Sequence, residues 1–225
     1  MSDQTPAFQG AHGAIAADLA LSPSDRAILR RLAAQMAELA ARPLEQERRD
    51  LWCRHNALQP TRPLVFCDPK SGWNEIITPT TLRCSGALAR EWEMRLGKEV
   101  FWGTQMRDDR VIEPCFDVAH VYAETDWGMH EARIGPSLSA WADVRTMAER
   151  LGPHNIFSWK PAPSDLALPT FDEEYLRPTL REALQITHAC GCRVEVIMKD
   201  NNTIRNDPRR VTRWVELVRE AIERL

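Results

Sequence analysis

The sequence contains no apolar run close to the ~20 residues that a membrane-crossing helix needs. It also lacks an excess of charge of either sign: Lys and Arg total 29, Asp and Glu 32, for a net charge of −3. Without a basic surplus, nothing in the composition favours nucleic acid or an anionic membrane as a partner. The arginine pairs Arg30-Arg31, Arg48-Arg49 and Arg209-Arg210 each have acidic neighbours and read as solvated helix faces. The N-terminus has no basic stretch leading into an apolar core, so no secretory signal is expected. Residues 1–23, rich in Gly and Ala at the start, read as a loose tail. The six cysteines, Cys53, Cys67, Cys84, Cys115, Cys190 and Cys192, are scattered through apolar or helical contexts. They read as reduced thiols of a cytoplasmic protein, not as a disulfide framework. No repeat or low-complexity tract is present.

What is present is the material of one globular domain. The chain has 225 residues, 44% apolar and 27% charged, enough to bury a core. Helical spacing of apolar residues predicts helices over 24–42, from Pro43 to about Leu58, over 85–97, 136–151 and 172–189, and from Pro208 to the end. Ser22 or Ser24, Asp172 and Asp207 are the expected caps. Four short runs read as strands: Leu64 to Cys67, Val111-Ile112, Asn155 to Trp159, and Arg193 to Met198. In the last third, strand and helix alternate with short connections, the order of βαβ units and a parallel sheet.

In parallel α/β folds the chemistry sits at the carboxyl ends of the strands, where loops vary over a rigid scaffold. The residues that follow the four strand candidates are therefore the candidate site. Asp68 follows the first, Glu113 and Asp117 the second, Lys160 the third, and Lys199, Asp200 and Asn202 the fourth. Lys160 and Lys199 are suited to hold substrate carboxylates. Asp200, Glu113 and Asp117 are suited to acid/base work or to stabilising a cation. Trp73, Trp92, Trp102 and Trp127 lie in the loop-rich middle, where an aromatic wall or a core position is an equal alternative. The run His188-Ala-Cys190-Gly-Cys192 carries zinc-type ligands. It precedes a strand, however, and so belongs to the opposite rim. A helix end closed by Gly191 is the competing reading, and it leaves no cofactor expected.

Seven segments together resemble the uroporphyrinogen decarboxylase-like superfamily, in particular its bacterial branch near the corrinoid- and cobalamin-linked methyltransferases. They are RPLVFCD (Arg62–Asp68), TLRC (Thr81–Cys84), VIEP (Val111–Pro114), SAWAD (Ser139–Asp143), FSWKP (Phe157–Pro161), VEVIMKD (Val194–Asp200) and NDP (Asn206–Pro208). The resemblance covers most of residues 25–225. It implies a (β/α)₈ barrel, with decarboxylation of a porphyrinogen or methyl transfer involving zinc and a corrinoid protein. A full barrel takes about 250 residues. Here the chain passes from the first strands, near Trp127 to Ile134, into the last quarter, near Ser139. The expectation is therefore an incomplete barrel: residues 24–60 a helical extension, 61–135 the N-terminal barrel segment and 136–225 the C-terminal one. The missing centre would take with it the cysteine-bearing strand end at which such methyltransferases bind zinc. Asn202 stands where related sequences often carry His. The alternative is a catalytically inactive, internally deleted homologue, a folded α/β module in which two copies pair to cover open sheet edges.

Overall fold

The computed structural model describes residues 21–116, 143–199 and 201–225. The chain is α/β. Its elements run α1 (Pro23–Ala40), α2 (Pro43–Asn56), β1 (Leu64–Cys67), α3 (Trp73–Ile76), α4 (Ala87–Phe101), a π-helical turn (Trp102–Met106), α5 (Val144–Leu151), β2 (Ile156–Trp159), α6 (Glu173–Ala189), β3 (Arg193–Met198) and α7 (Arg209–Ile222).

Local sequence explains most of the helix ends. Ser22 accepts the Asp25 N–H at 3.0 Å and Pro23 fills the first turn, so α1 begins inside what the composition assigns to the tail. Asp172 caps α6 by accepting from the Tyr175 N–H, and Asp143 caps α5 from the Thr146 N–H. Asp207 accepts from the Arg209 N–H, closing the start of α7. Gly191 follows α6 with φ +70°, a conformation glycine adopts without a Cβ clash.

Among the described residues the sheet has three parallel strands in the order β1-β3-β2. It is open, not a closed barrel. Val111-Ile112, expected as a strand, is not one: the Ile112 N–H is taken by Glu45 Oε2 at 2.8 Å, so that segment follows α2 instead of a neighbouring strand. The alternation of β3 separates two faces. Val194, Val196 and Met198 join Val65, Cys67, Phe157 and Trp159 in the main core. Helices α6 and α7 cover that face with Leu176, Leu180, Leu184, Val211, Trp214, Val215 and Val218. An ionic network ties the two helices together, with Arg213 reaching Glu173 at 2.8 Å and Glu220 at 3.0 Å, and Arg177 pairing with Glu220. The opposite face carries Leu64, Phe66, Glu195, Ile197, Arg193, Ile156 and Ser158, as the register requires.

The outer edge of β1 is closed by carboxylates instead of by a strand. The Val65 N–H donates to Asp109 Oδ2 at 2.8 Å and the Cys67 N–H to Asp108 Oδ2 at 2.9 Å, while the Asp109 N–H donates to the Val65 carbonyl at 2.8 Å. Both aspartates are buried. A sheet edge satisfied this way offers no free donors to a second chain, which removes the reason for pairing at β1. The edge residues of β2 are all buried as well. Arg48, read from the sequence as part of a solvated pair, is buried and donates to Glu45 and to the Asp108 carbonyl.

Candidate functional site

The strand ends bring Asp68, Lys160 and Lys199 onto one face. Cys67 pairs with Met198, and the Asp68 N–H continues the ladder to the Met198 carbonyl at 2.8 Å, which puts Asp68 beside Lys199. Lys160 directly follows β2, and its charge reaches Glu195, which pairs with Ser158 on that face.

Lysine itself is the informative residue type. The chain has only four lysines, Lys70, Lys98, Lys160 and Lys199, among 29 basic residues. Lys160 and Lys199 follow β2 and β3 directly, and Lys70 follows β1 by three residues. Lys70 Nζ lies 2.8 Å from Asp68 Oδ2. Lys98, on α4, lies over the Trp73 ring, and its charge is felt by Asp68 and Lys70. Every lysine of the chain thus gathers near the carboxyl end of the sheet, while the rest of the surface uses arginine. A compact ammonium on a flexible stem suits a mobile carboxylate.

Asp68 is held rather than free. Burial pushes its carboxyl pKa up, but hydrogen bonds from Lys70 and from Trp73 Nε1, the latter 2.8 Å away, outweigh this and leave it below the usual value. Trp73 and Trp102 prove to be core residues. They pack edge to face at 4.5 Å, and Trp102 Nε1 donates to the Cys67 carbonyl at 3.0 Å. These two tryptophans fix the end of β1 from which Asp68 projects. Trp92 is partly buried against Phe116.

Glu113 stands apart from this group. It is exposed and paired with Arg49 of α2 at 3.0 Å, since the strand expected before it does not form. Asn202 is exposed. Its neighbour Asn201 is the buried one, with Nδ2 donating to the Pro163 carbonyl at 3.1 Å and Oδ1 buried without a partner. Asp117, Trp127 and Asp200 lie outside the described residues.

Two groups on the same sheet face escape a reading of strand ends. Glu195 sits in mid-strand between Leu64 and Ser158. Burial raises its pKa, with the Ser158 hydrogen bond and the Lys160 charge acting the other way. His55, at the end of α2, is fully buried with Nε2 3.8 Å from Glu195 Oε2, and neither ring nitrogen has a hydrogen-bond partner. Burial, aided by the Arg193 charge, lowers its pKa to about 4 and keeps it neutral near pH 7. A charged residue between two valines in β3 is the only sequence signal for Glu195. His55 lies in a charged helix and gives none.

At the other rim, His188 is exposed, and Cys192 Sγ lies 3.5 Å from the Ala148 carbonyl. Burial raises the Cys192 thiol pKa to about 11. Among the described residues no group of three or more His, Cys, Asp or Glu side chains is placed to hold a metal ion, so His188, Cys190 and Cys192 do not form a ligand set by themselves. None of the described helices is long and apolar enough to cross a membrane. Comparison of the chain with family models, with curated proteins and with solved structures finds no match.

Proposed function

We propose that the chain is a uroporphyrinogen decarboxylase-like protein, an incomplete relative of the (β/α)₈ barrel, that binds a small polycarboxylated substrate at the carboxyl ends of its strands. The observation that carries this reading is that Lys160 and Lys199 directly follow β2 and β3 while Lys70 and Lys98 lie by Asp68 at the end of β1. The strand order lends support. In a closed parallel barrel the first strand lies beside the last, and the last beside the one before it. The order β1-β3-β2 is that neighbourhood. In this reading Lys160 and Lys199 bind substrate carboxylates, and Asp200 and Asp117 are the acid/base candidates. Glu113, held by Arg49, is given no role. Decarboxylation needs only stabilisation of the charge left on the ring. The methyl-transfer variant would need zinc and a corrinoid protein, and the described residues supply no zinc ligand set.

The test is incubation of the purified chain with uroporphyrinogen, and separately with a methyl-corrinoid, followed by product analysis. Lys199→Ala and Lys160→Ala are each expected to lower kcat/KM by roughly a hundredfold, the effect of losing one preorganised charge contact. Undiminished turnover in both variants, or no turnover and no uroporphyrin binding by the native chain, would sink the proposal.

One observation favours a second reading, a folded but inactive α/β module: among the described residues three strands offer three strand ends where a barrel offers eight. This module would associate through a face other than the closed edge of β1. A compact monomer in sedimentation would argue against association.

A further inference from the structure

At the amino end of β1 the chain forms a cleft of about 590 Å³ that the strand-end chemistry does not use. Five guanidinium groups line it: Arg42 and Arg48 near the start of α2, Arg62 just before β1, Arg107 after the π-helical turn, and Arg219 on α7. Two carboxylates, Glu47 and Asp109, share the lining, and Glu45 lies buried behind Arg42 and Arg48. Asp108 lies deeper, its carboxylate taken by the Cys67 and Arg110 N–H groups. Five cations against these three carboxylates, or four with Asp108 ionised, leave a local surplus of one to two positive charges, in a chain whose net charge is −3.

Three of the arginines are held in place. Arg42 donates to the Leu39 and Gly103 carbonyls and to Glu45. Arg48 donates to Glu45 and to the Asp108 carbonyl. Arg62 grips both oxygens of Asp109. A guanidinium carries five N–H donors, so each keeps some in reserve. The other two are less committed. Arg219 donates to the Arg107 carbonyl at 2.7 Å and approaches Asp109 at 3.6 Å. The Arg107 side chain is exposed, with no hydrogen bond or ion pair among the described residues.

The backbone adds an independent sign. Arg107 has φ +56°, a left-handed conformation that suits glycine and strains an L side chain, and it directly ends the π-helical turn Trp102–Met106. Strain of this kind and π-helical turns both concentrate at functional sites.

We propose that this cleft binds the phosphate or diphosphate end of a small organic ligand, with Arg107 and Arg219 as the closing cations. A phosphate group matches the sign of the surplus charge, and planar guanidinium forks match its oxygens. Leu44, exposed, and Leu51 offer an apolar wall to the organic part. The volume falls within the range of small-molecule pockets, about 300–1,000 Å³. Arg62, which lines the cleft, precedes β1, whereas Asp68 follows β1 at its other end.

Calorimetric titration of the full chain with pyrophosphate, ADP and citrate tests the assignment. Saturable one-to-one binding of pyrophosphate and ADP is expected. Arg219→Gln and Arg107→Gly should each weaken it by about tenfold, the loss of one charge-assisted contact. Arg107→Gly should at the same time raise the urea midpoint, because it relieves the left-handed strain. A merely structural arginine would not lose affinity while gaining stability. Arg209→Gln, exposed and paired with Asp207 outside the cleft, should leave binding unchanged. Absence of saturable binding, undiminished affinity in both cleft variants, or an equal loss in Arg209→Gln would overturn the site. Citrate binding as tightly as pyrophosphate would overturn the choice of phosphate.

Discussion

Glu45→Ala is expected to destabilise the fold by about 3–5 kcal/mol, the cost of leaving a buried charge without its partner. Glu45 is fully buried. Its Oε1 accepts from Arg42 at 2.6 Å and from Arg48 at 3.0 Å, and its Oε2 accepts the Ile112 N–H at 2.8 Å. Burial alone would raise the Glu45 pKa. The Ile112 N–H and the two guanidinium groups outweigh it and hold the carboxyl below its usual value. The variant strands the buried Arg48 and an amide N–H together. It also loosens the 108–112 segment, whose two aspartates close the edge of β1. Urea unfolding measures the loss, which is a large share of the ~5–15 kcal/mol that holds a domain of this kind together. Adding Arg48→Leu to Glu45→Ala should recover part of it, since removing both partners of a buried pair costs less than removing one. A loss below about 1 kcal/mol for Glu45→Ala, the scale of an exposed pair, would contradict this account.

The second large effect is on the dependence of stability on pH, where two buried groups pull in opposite directions. Burial raises the Asp108 carboxyl pKa to about 7 from 3.8, against the pull of the Cys67 and Arg110 N–H groups and the Arg48 charge. Between those values the folded chain binds more protons than the unfolded one, so stability falls as pH rises. His55 is the reverse. Its pKa drops from 6.5 to about 4, so the folded chain binds fewer protons in that window and stability rises with pH. Each shift corresponds to about 3–4 kcal/mol across its window, and the two nearly cancel between about pH 4 and 6.5. Burial also raises Glu195 and Asp165, which adds to the Asp108 side. Native protein should therefore lose a little stability as pH rises through this range. Asp108→Asn should become more stable as pH rises from about 5 to 6.5, and His55→Phe less stable over the same interval. Unfolding midpoints at several pH values read the slopes directly. If both variants kept the native slope, neither burial could matter as described.

How legible the chain was depended on the range of the interaction. Ser22 before Pro23, Asp172 before the α6 stripe, and Asp207 before Pro208 marked helix starts, because a cap acts within three residues. The run Arg193 to Met198 was readable as a strand, and with it the position of Lys199 directly after it. Val111-Ile112 looked like a strand but is not one, because Glu45, 67 residues away from Ile112, takes the N–H that a strand neighbour would need. Glu45, Arg48 and His55 all lie in the charged segment PLEQERRDLWCRHN, whose composition suggests solvent. All three are buried. For the candidate site, Asp68, Lys160 and Lys199 could be named from their places after strands. Glu113 was read as following a strand that does not form, and the burial of Asn201 but not Asn202 comes from packing against Pro163, which two adjacent asparagines in a sequence do not reveal.

By itself the sequence determined most of the long helices, the caps Ser22 and Asp172, the parallel strand-helix-strand unit at the C-terminal end, and the confinement of lysine to four positions. These follow from side-chain periodicity and from groups a few residues apart. The tertiary structure alone decided that β1 lies beside β3, that its free edge ends on two aspartates, and that five arginines from separate segments share one cleft. Those outcomes join residues dozens of positions apart. A buried carboxylate or guanidinium is stable only where folding supplies its partner, and local sequence carries no record of which distant group that will be.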